Sequence, residues 1–209
     1  MEHLTKQSCE DFAAALASKT SVPGGGGAAA LVGALSVALC SMVGNFTAGK
    51  KKYAAFEGDI QRILAESETL RLRLLALVDA DAVAFEPLSR AYAIPKDDPR
   101  RPQIMEEATL AACQAPLEMV SCCAQVLKLL EELLEKGSRL LLSDVGCGAY
   151  LCRAALQSAA LSVYVNTGTL QDRDTAARLE QQAEETLRTC LPLADHIAAA
   201  VAAQIRKEP

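Results

Sequence analysis

Tryptophan is absent from the chain, and aromatic residues of all kinds make up only 4% of its 209 positions. A core poor in rings must be filled by Ala, Leu and Val, which suits closely packed helices. Histidine occurs only at His3 and His196, near the two ends. Neither is assigned a catalytic role, and nothing points to a metal. The eight cysteines (9, 40, 113, 122, 123, 147, 152 and 190) form no CxxC pair and no Cys/His pattern of the zinc kind. HExxH and G-x-S-x-G are missing as well. Basic residues are not in excess: 21 Lys and Arg stand against 26 Asp and Glu, a net charge of −5. That excludes a broad nucleic-acid surface and confines any anion site to a local patch. The first residues, MEHLTKQSCEDF, lack the basic and apolar regions of a secretion signal. Several cysteines lie in apolar runs, where a thiol acts as a small hydrophobe, so reduced thiols and a cytoplasmic location are expected.

Strand alternation, internal repeats and low-complexity linkers are also lacking, and what remains is helical. Ser8-Cys-Glu-Asp11 reads as a capping box opening a short helix to about residue 18. A glycine segment follows, then a helix apolar almost all round, from Ala28 to about Ala48, ending at Gly49 and Lys50-Lys51-Lys52. A long helix is expected from Phe56 to Ala93, and IPKDDPRRP (94–102) breaks the chain. The next helix, Gln103 to Lys136, should kink at Pro116 and stop at Gly137. Ser143-Asp144 should cap an Ala-rich helix over 145–165, and a last helix should run from Asp172 to Lys207, kinked at Pro192. The expectation is an all-α fold in which residues 1–209 form one domain of about six helices, two of them apolar, central and jacketed by the rest.

The stretch SVPGGGGAAALVGALSVALC (21–40) admits three readings. As a membrane span it is near threshold: 14 of the 19 residues from Ala28 to Phe46 are Ala, Val, Leu, Met, Cys or Phe. Ser36, Ser41, Gly33, Gly44 and Asn45 interrupt the run, and Ala favours insertion far less than Leu, so a buried core helix is expected and no membrane partner. As a nucleotide loop it lacks the Gly-Lys-Ser/Thr ending, and no strand precedes Pro23. What remains is Pro23 stiffening the entry, with Gly24, Gly25, Gly26 and Gly27 permitting positive φ and baring N–H groups at a helix N-terminus. Those donors could receive an anion or carbonyl, or the glycines could simply pack against a neighbour.

One carboxylate stands out. Leu70, Leu74, Leu77, Asp81, Phe85, Leu88 and Tyr92 share a helical face. Asp79 lies about 200° round the helix from Asp81, so the two form no pair. A carboxylate in an apolar stripe is either paired with a cation or has its pKa raised by desolvation, and the second is what a general acid near neutral pH requires. Position alone leaves a structural role open. Pro87 removes the N–H that would bond to the Val83 carbonyl and bends the helix past Asp81. Lys50, Lys51 and Lys52 read first as a solvated helix end, Lys96 as loop charge, Asp144 as an N-cap and Asn166 as a C-cap.

Taken in order, SVPGGGGAAALVGALSVALCSMVGNFTAGKKKY resembles the opening signature of the cyclodeaminase/cyclohydrolase family of folate enzymes. The likeness continues in VDADAVAF (78–85), IPK (94–96), the helix containing Pro116, SD with its Ala-rich helix (143–160) and VYVNT (163–167). It covers almost the whole chain. Gly27 stands where the family usually has Ser, and Pro87 is a further departure.

The resemblance implies a helical homodimer binding tetrahydrofolate derivatives, polyglutamylated or not, with no cofactor beyond the substrate. In cyclodeamination one folate nitrogen attacks the formimino carbon on the other, and ammonia leaves. In cyclohydrolysis water opens the methenyl bridge to formyltetrahydrofolate. Asp81 would be the general acid/base, with Asp144 and Asn166 orienting the pterin or the reacting nitrogen. Pro23 and Gly24–Gly27 would wall the cleft, while Lys50, Lys51, Lys52 and Lys96 would meet the glutamate carboxylates. No transferase-like half is seen, so a stand-alone domain without channelling is expected. The competing expectation is a non-catalytic helical dimer that binds folate or acts as a scaffold.

Overall fold

The computed structural model describes residues 3–206, all of whose regular structure is helical. Helix α1 (Cys9–Ala17) starts where Ser8 Oγ accepts the Asp11 N–H at 3.0 Å, as the capping signature foretells, and buries only Phe12. Helix α2 (Gly25–Thr47) differs from expectation at its start: Gly24 is its N-cap, and three of the four glycines form its first turn. None of Gly24–Gly27 has positive φ; among the described residues only Gly49 does, at +70°, where the chain turns out of α2. Lys50 precedes, and Lys51 and Lys52 open, a 3-10 turn (Lys51–Phe56) that leads into the 36-residue α3 (Glu57–Tyr92). Pro87 sits inside α3 near its end, and Tyr92 proves half exposed rather than part of the buried stripe.

The helix expected over 103–136 is two helices, α4 (Arg101–Ala112) and α5 (Gln114–Lys136), meeting at Cys113. Pro116 explains the division, because it cannot donate to the carbonyl of Ala112 four residues back. A 3-10 turn (Arg139–Leu141) runs straight into α6 (Leu142–Thr167), so Ser143 and Asp144 lie within the first turn and neither caps it. Asn166 is likewise inside α6, whose C-cap is Gly168. Helix α7 (Arg173–Ile205) is capped by Asp172, which accepts the Thr175 N–H; the expected end at Lys207 lies outside the described residues.

The main core joins residues of α2, α3, α5, α6 and α7, among them Val37, Leu74, Leu127, Leu156 and Ile197, all fully buried. Helices α2 and α6 run antiparallel in close contact. Ser36 Oγ donates to the Gly148 carbonyl at 2.8 Å across this contact, and a β-carbon at Gly148 would crowd Leu130 of α5. At the far end Thr47 Oγ1 accepts the Ser138 N–H, and Tyr53 Oη accepts the Arg139 N–H. The C-terminus of α2 is thereby fixed beside the start of α6.

The jacket around α2 and α6 covers one side. On the other, Ala28, Val32, Leu35, Leu39, Met42 and Phe46 of α2 are half-buried or exposed, at alternating spacings of four and three. Beside them Tyr150, Leu161 and Val165 of α6 are 60%, 66% and 71% exposed. By length and composition two stretches could cross a membrane, Gly25–Thr47 and Arg101–Lys136; over half of each is buried within the fold. The second is the α4–α5 pair, not the Ala-rich α6 that shares the character of α2 in sequence.

Candidate functional site

Three distant segments converge at the N-terminal end of α2. Ser21, Val22 and Gly24–Gly26 line one wall of a cleft of about 260 Å³, Asp81 and Phe85 of α3 a second, and Ser162, Val165 and Asn166 of α6 a third. Helical spacing explains the last two walls. Phe85 is one turn beyond Asp81, and Ser162 one turn before Asn166. Phe85, Ser162 and Val165 were not singled out in sequence as site residues, although that spacing points to each.

The Asp81 carboxyl rests against the first turn of α2. At Gly26 a β-carbon would collide with the carboxylate, so glycine is needed there for close approach rather than for an unusual backbone angle. At Gly27 a β-carbon meets only Pro23 and Val78 at ordinary distances, and at Gly25 it meets nothing. Burial pushes the Asp81 pKa above the usual carboxylate range, and the Gly27 N–H, bonding to the carboxylate, opposes that rise. The positive end of the α2 dipole acts in the same sense as that N–H. No cation lines the cleft to pull the carboxyl back to ordinary acidity.

Asn166 donates from Nδ2 to the Ala112 carbonyl at 3.1 Å. Its side chain thus ties α6 to the α4–α5 junction instead of capping its own helix. Pro23 is buried behind the glycines, where its β-carbon would face Gly27. Asp79, one position pair away from Asp81 and on another face, serves the N-terminal segment: it accepts the Leu4 N–H and contacts His3 Nδ1, each at 2.8 Å. Sequence offered no signal for that link.

The other sequence candidates lie elsewhere. Lys50–Lys52 follow α2's far end, about 33 Å from Gly25 at 1.5 Å per residue. Asp144, in the first turn of α6, is separated from Asn166 by a similar about 33 Å and shares the lysines' end of the bundle. Lys96 is exposed in the turn between α3 and α4, beyond the end of α3, which itself lies about three helical turns past Asp81, and it is outside the cleft lining. One chain therefore brings together Gly24–Gly26, Asp81 and Asn166, and leaves Lys50–Lys52, Lys96 and Asp144 apart. The cleft continues through shared Gly25, Ser162 and Val165 into an apolar groove of about 500 Å³ between α2 and α6.

Comparison with known proteins bears on what this cleft does. The family model described as formiminotransferase-cyclodeaminase matches residues 8–185. A methenyltetrahydrofolate cyclohydrolase from Methylorubrum extorquens is 40% identical over 185 residues, covering 87% of this chain and 89% of that protein. The formimidoyltransferase-cyclodeaminase of Mus musculus is 30% identical over 175 residues, 82% of this chain but 32% of that protein. The chain thus spans about a third of the length of such two-activity relatives. Among solved structures, the formiminotetrahydrofolate cyclodeaminase of Thermotoga maritima superposes with a TM-score of 0.83 at 28% identity, covering 94% of this chain and 98% of that one.

Proposed function

This chain belongs to the formiminotransferase-cyclodeaminase family, and on that premise we propose that it is a folate one-carbon enzyme acting on the formimino or methenyl bridge of tetrahydrofolate. It would work as a formiminotetrahydrofolate cyclodeaminase, a methenyltetrahydrofolate cyclohydrolase, or both, with residues 1–209 forming one such domain in the cytoplasm. The observation that carries the reading is the Asp81 carboxyl, half-buried against Gly26 and the Gly27 N–H in a cleft shared with Asn166.

In the cyclodeaminase direction the folate amine forms a C–N bond to the formimino carbon, giving a tetrahedral carbon. Protonated Asp81 gives its proton to the departing nitrogen, the old C–N bond breaks, and ammonia leaves. The carboxylate left behind takes the proton of the attacking amine. In the hydrolytic direction the carboxylate takes a proton from water as it attacks the methenyl carbon, then gives it to the ring nitrogen as that C–N bond breaks; the remaining hydroxyl proton passes to solvent as the formyl C=O forms. Both directions need a group that gives and takes a proton, a role that the upward shift of Asp81 by burial favours, and neither needs an electron acceptor. The tetrahydrofolate derivative itself is then the only small molecule required.

The exposed face of α2 and α6 supports a homodimer. Its α2 stripe carries the heptad spacing of helices that pair, and apolar side chains this exposed are covered in a stable assembly. We place the twofold axis across α2, so that the two copies run antiparallel. The partner subunit's Lys50–Lys52 and Asp144 then approach the cleft, which has no cation of its own, and the α2–α6 groove becomes the passage between them. The lysines would meet the carboxylates of a glutamate or polyglutamate tail. Asp144 would orient the pterin or the reacting nitrogen from across the interface, and Lys96 would meet a longer tail from the cleft's own subunit.

Asp81→Asn tests the catalytic part. It should lower turnover of both substrates by about 10²–10⁴-fold, the usual worth of a positioned acid/base, while folate binding persists. Turnover near wild type would remove Asp81 from the mechanism. If wild-type protein binds folate but converts neither substrate, a non-catalytic binding dimer is the better reading.

A further inference from the structure

The carbonyl of Ala112 is an acceptor that the helix cannot satisfy. Its ordinary partner would be the N–H of residue 116, and residue 116 is proline. The bond goes instead to the side chain of Asn166, 54 residues away, whose Nδ2 lies at 3.1 Å. Around this point the ladder re-forms at once, with Cys113 N–H to the Thr109 carbonyl and Leu117 N–H to the Cys113 carbonyl, each at 3.2 Å. The break is therefore short, and the Ala112 carbonyl within it is turned toward α6. Pro116 and Ala112 are both buried.

A carbonyl can only accept a hydrogen bond, so it selects which end of the Asn166 amide faces it. The nitrogen must point at Ala112, and the oxygen is the atom left to the cleft that Asn166 lines. No protein donor bonds to that oxygen among the described residues. We propose that Pro116 is a positioning residue: by leaving the Ala112 carbonyl unfilled, it locks the Asn166 amide with Oδ1 toward the substrate. The cleft then presents an acceptor at that point, fitted to an N–H of the substrate such as the folate amine or the formimino nitrogen. This rests on the reading of the cleft as the catalytic site.

Pro116→Ala restores an N–H in line with the Ala112 carbonyl and straightens the junction, so the amide loses its anchor. In the kinetic arm, Pro116→Ala should lower kcat about tenfold, the scale of one hydrogen bond, with KM little changed and the melting temperature maintained. In an Asn166→Ala background the same substitution should lower kcat no further. The second arm does not depend on turnover. The side-chain amide protons of Asn166, followed by NMR, should exchange slowly in the native protein and faster in Pro116→Ala. If Pro116→Ala reduces kcat equally with and without Asn166, it acts through general structure and the proposal fails. Unchanged amide exchange would also overturn it. Should Pro116→Ala not fold, Asn166→Asp in otherwise native protein is the second variant. It removes the donor to Ala112 while keeping an oxygen in the cleft, and wild-type kcat from it would refute the need for the anchor. A chain that turns over neither substrate while Asn166 exchange still responds to Pro116 would sink the enzymatic reading and leave the anchor standing.

Discussion

At the scale of single residues, the glycines divide into one that is required and others that are not. Gly26 touches the Asp81 carboxylate so closely that any β-carbon displaces it, whereas Gly27 has room. Gly26→Ala should therefore cost most of the activity with the helical content retained, and Gly27→Ser should keep turnover within a fewfold of wild type. Circular dichroism beside a turnover assay checks both. The second result would also account for the departure from the family pattern at Gly27: the first turn works through its N–H groups. Asp81 has a consequence for stability whose sign follows from its raised pKa. The folded state favours the neutral acid, so the contribution of Asp81 is present below about pH 4, the ordinary carboxylate value, and is lost as pH rises through the higher folded value. Once ionised, the half-buried group is a burden. Asp81→Asn should thus melt at the same temperature as wild type or higher at pH 7, an advantage that fades in acid. A lower melting temperature at pH 7 would show that the charge is compensated in the fold.

At the scale of helices, caps and periodicity made most elements readable in sequence, and the exceptions have physical causes. Ser8 caps as the sequence suggests, and Asp172, expected as the start of the last helix, is its N-cap. The glycine segment reads as a loop because glycine is a poor helix former, yet three of its residues are helical because packing against Asp81 and Val78 outweighs propensity. Pro116 was legible as a kink, but not as the place where α4 ends and a distant asparagine takes over the open carbonyl. Ser143-Asp144 looked like a cap only because a 3-10 turn feeding directly into α6 leaves no periodicity signal. The separation of Lys50–Lys52 from the glycines follows from the length of α2 alone, whereas a row of matching motifs says nothing about which end of a bundle each occupies. The α2 stripe offers its own test. Leu35→Glu, 52% exposed at mid-helix, should convert a dimer to monomer in analytical ultracentrifugation without unfolding it. A wild-type protein that is monomeric at micromolar concentration would dispose of the paired face.

At the scale of the whole molecule, burial decides which thiols react. All eight cysteines are free, and only Cys9 and Cys147 are exposed. Burial pushes Cys40 to about 12 and Cys113 and Cys122 to about 11, so these thiols stay protonated at neutral pH. A thiol-reactive dye should therefore label at most two groups quickly in the native protein and eight after denaturation; more than two fast groups would show that the packed core opens. The two-ended distribution of site residues makes a sharper demand. An Asp81→Asn chain and a chain with Lys50–Lys52 replaced by Ala should each be impaired alone. Mixed and re-associated, they should regain activity, because one cleft of the heterodimer then has both an intact Asp81 and intact partner lysines. No regain from confirmed heterodimers would mean that the lysines act elsewhere.

The most direct measurement follows the absorbance of methenyltetrahydrofolate after purified wild-type protein is mixed with formiminotetrahydrofolate and, separately, with the methenyl compound. The Asp81 cleft should generate methenyltetrahydrofolate from the first, consume the second faster than buffer does, or do both, and Asp81→Asn should do neither at a comparable rate. Folate binding with no change in either absorbance trace would contradict a catalytic role for the cleft.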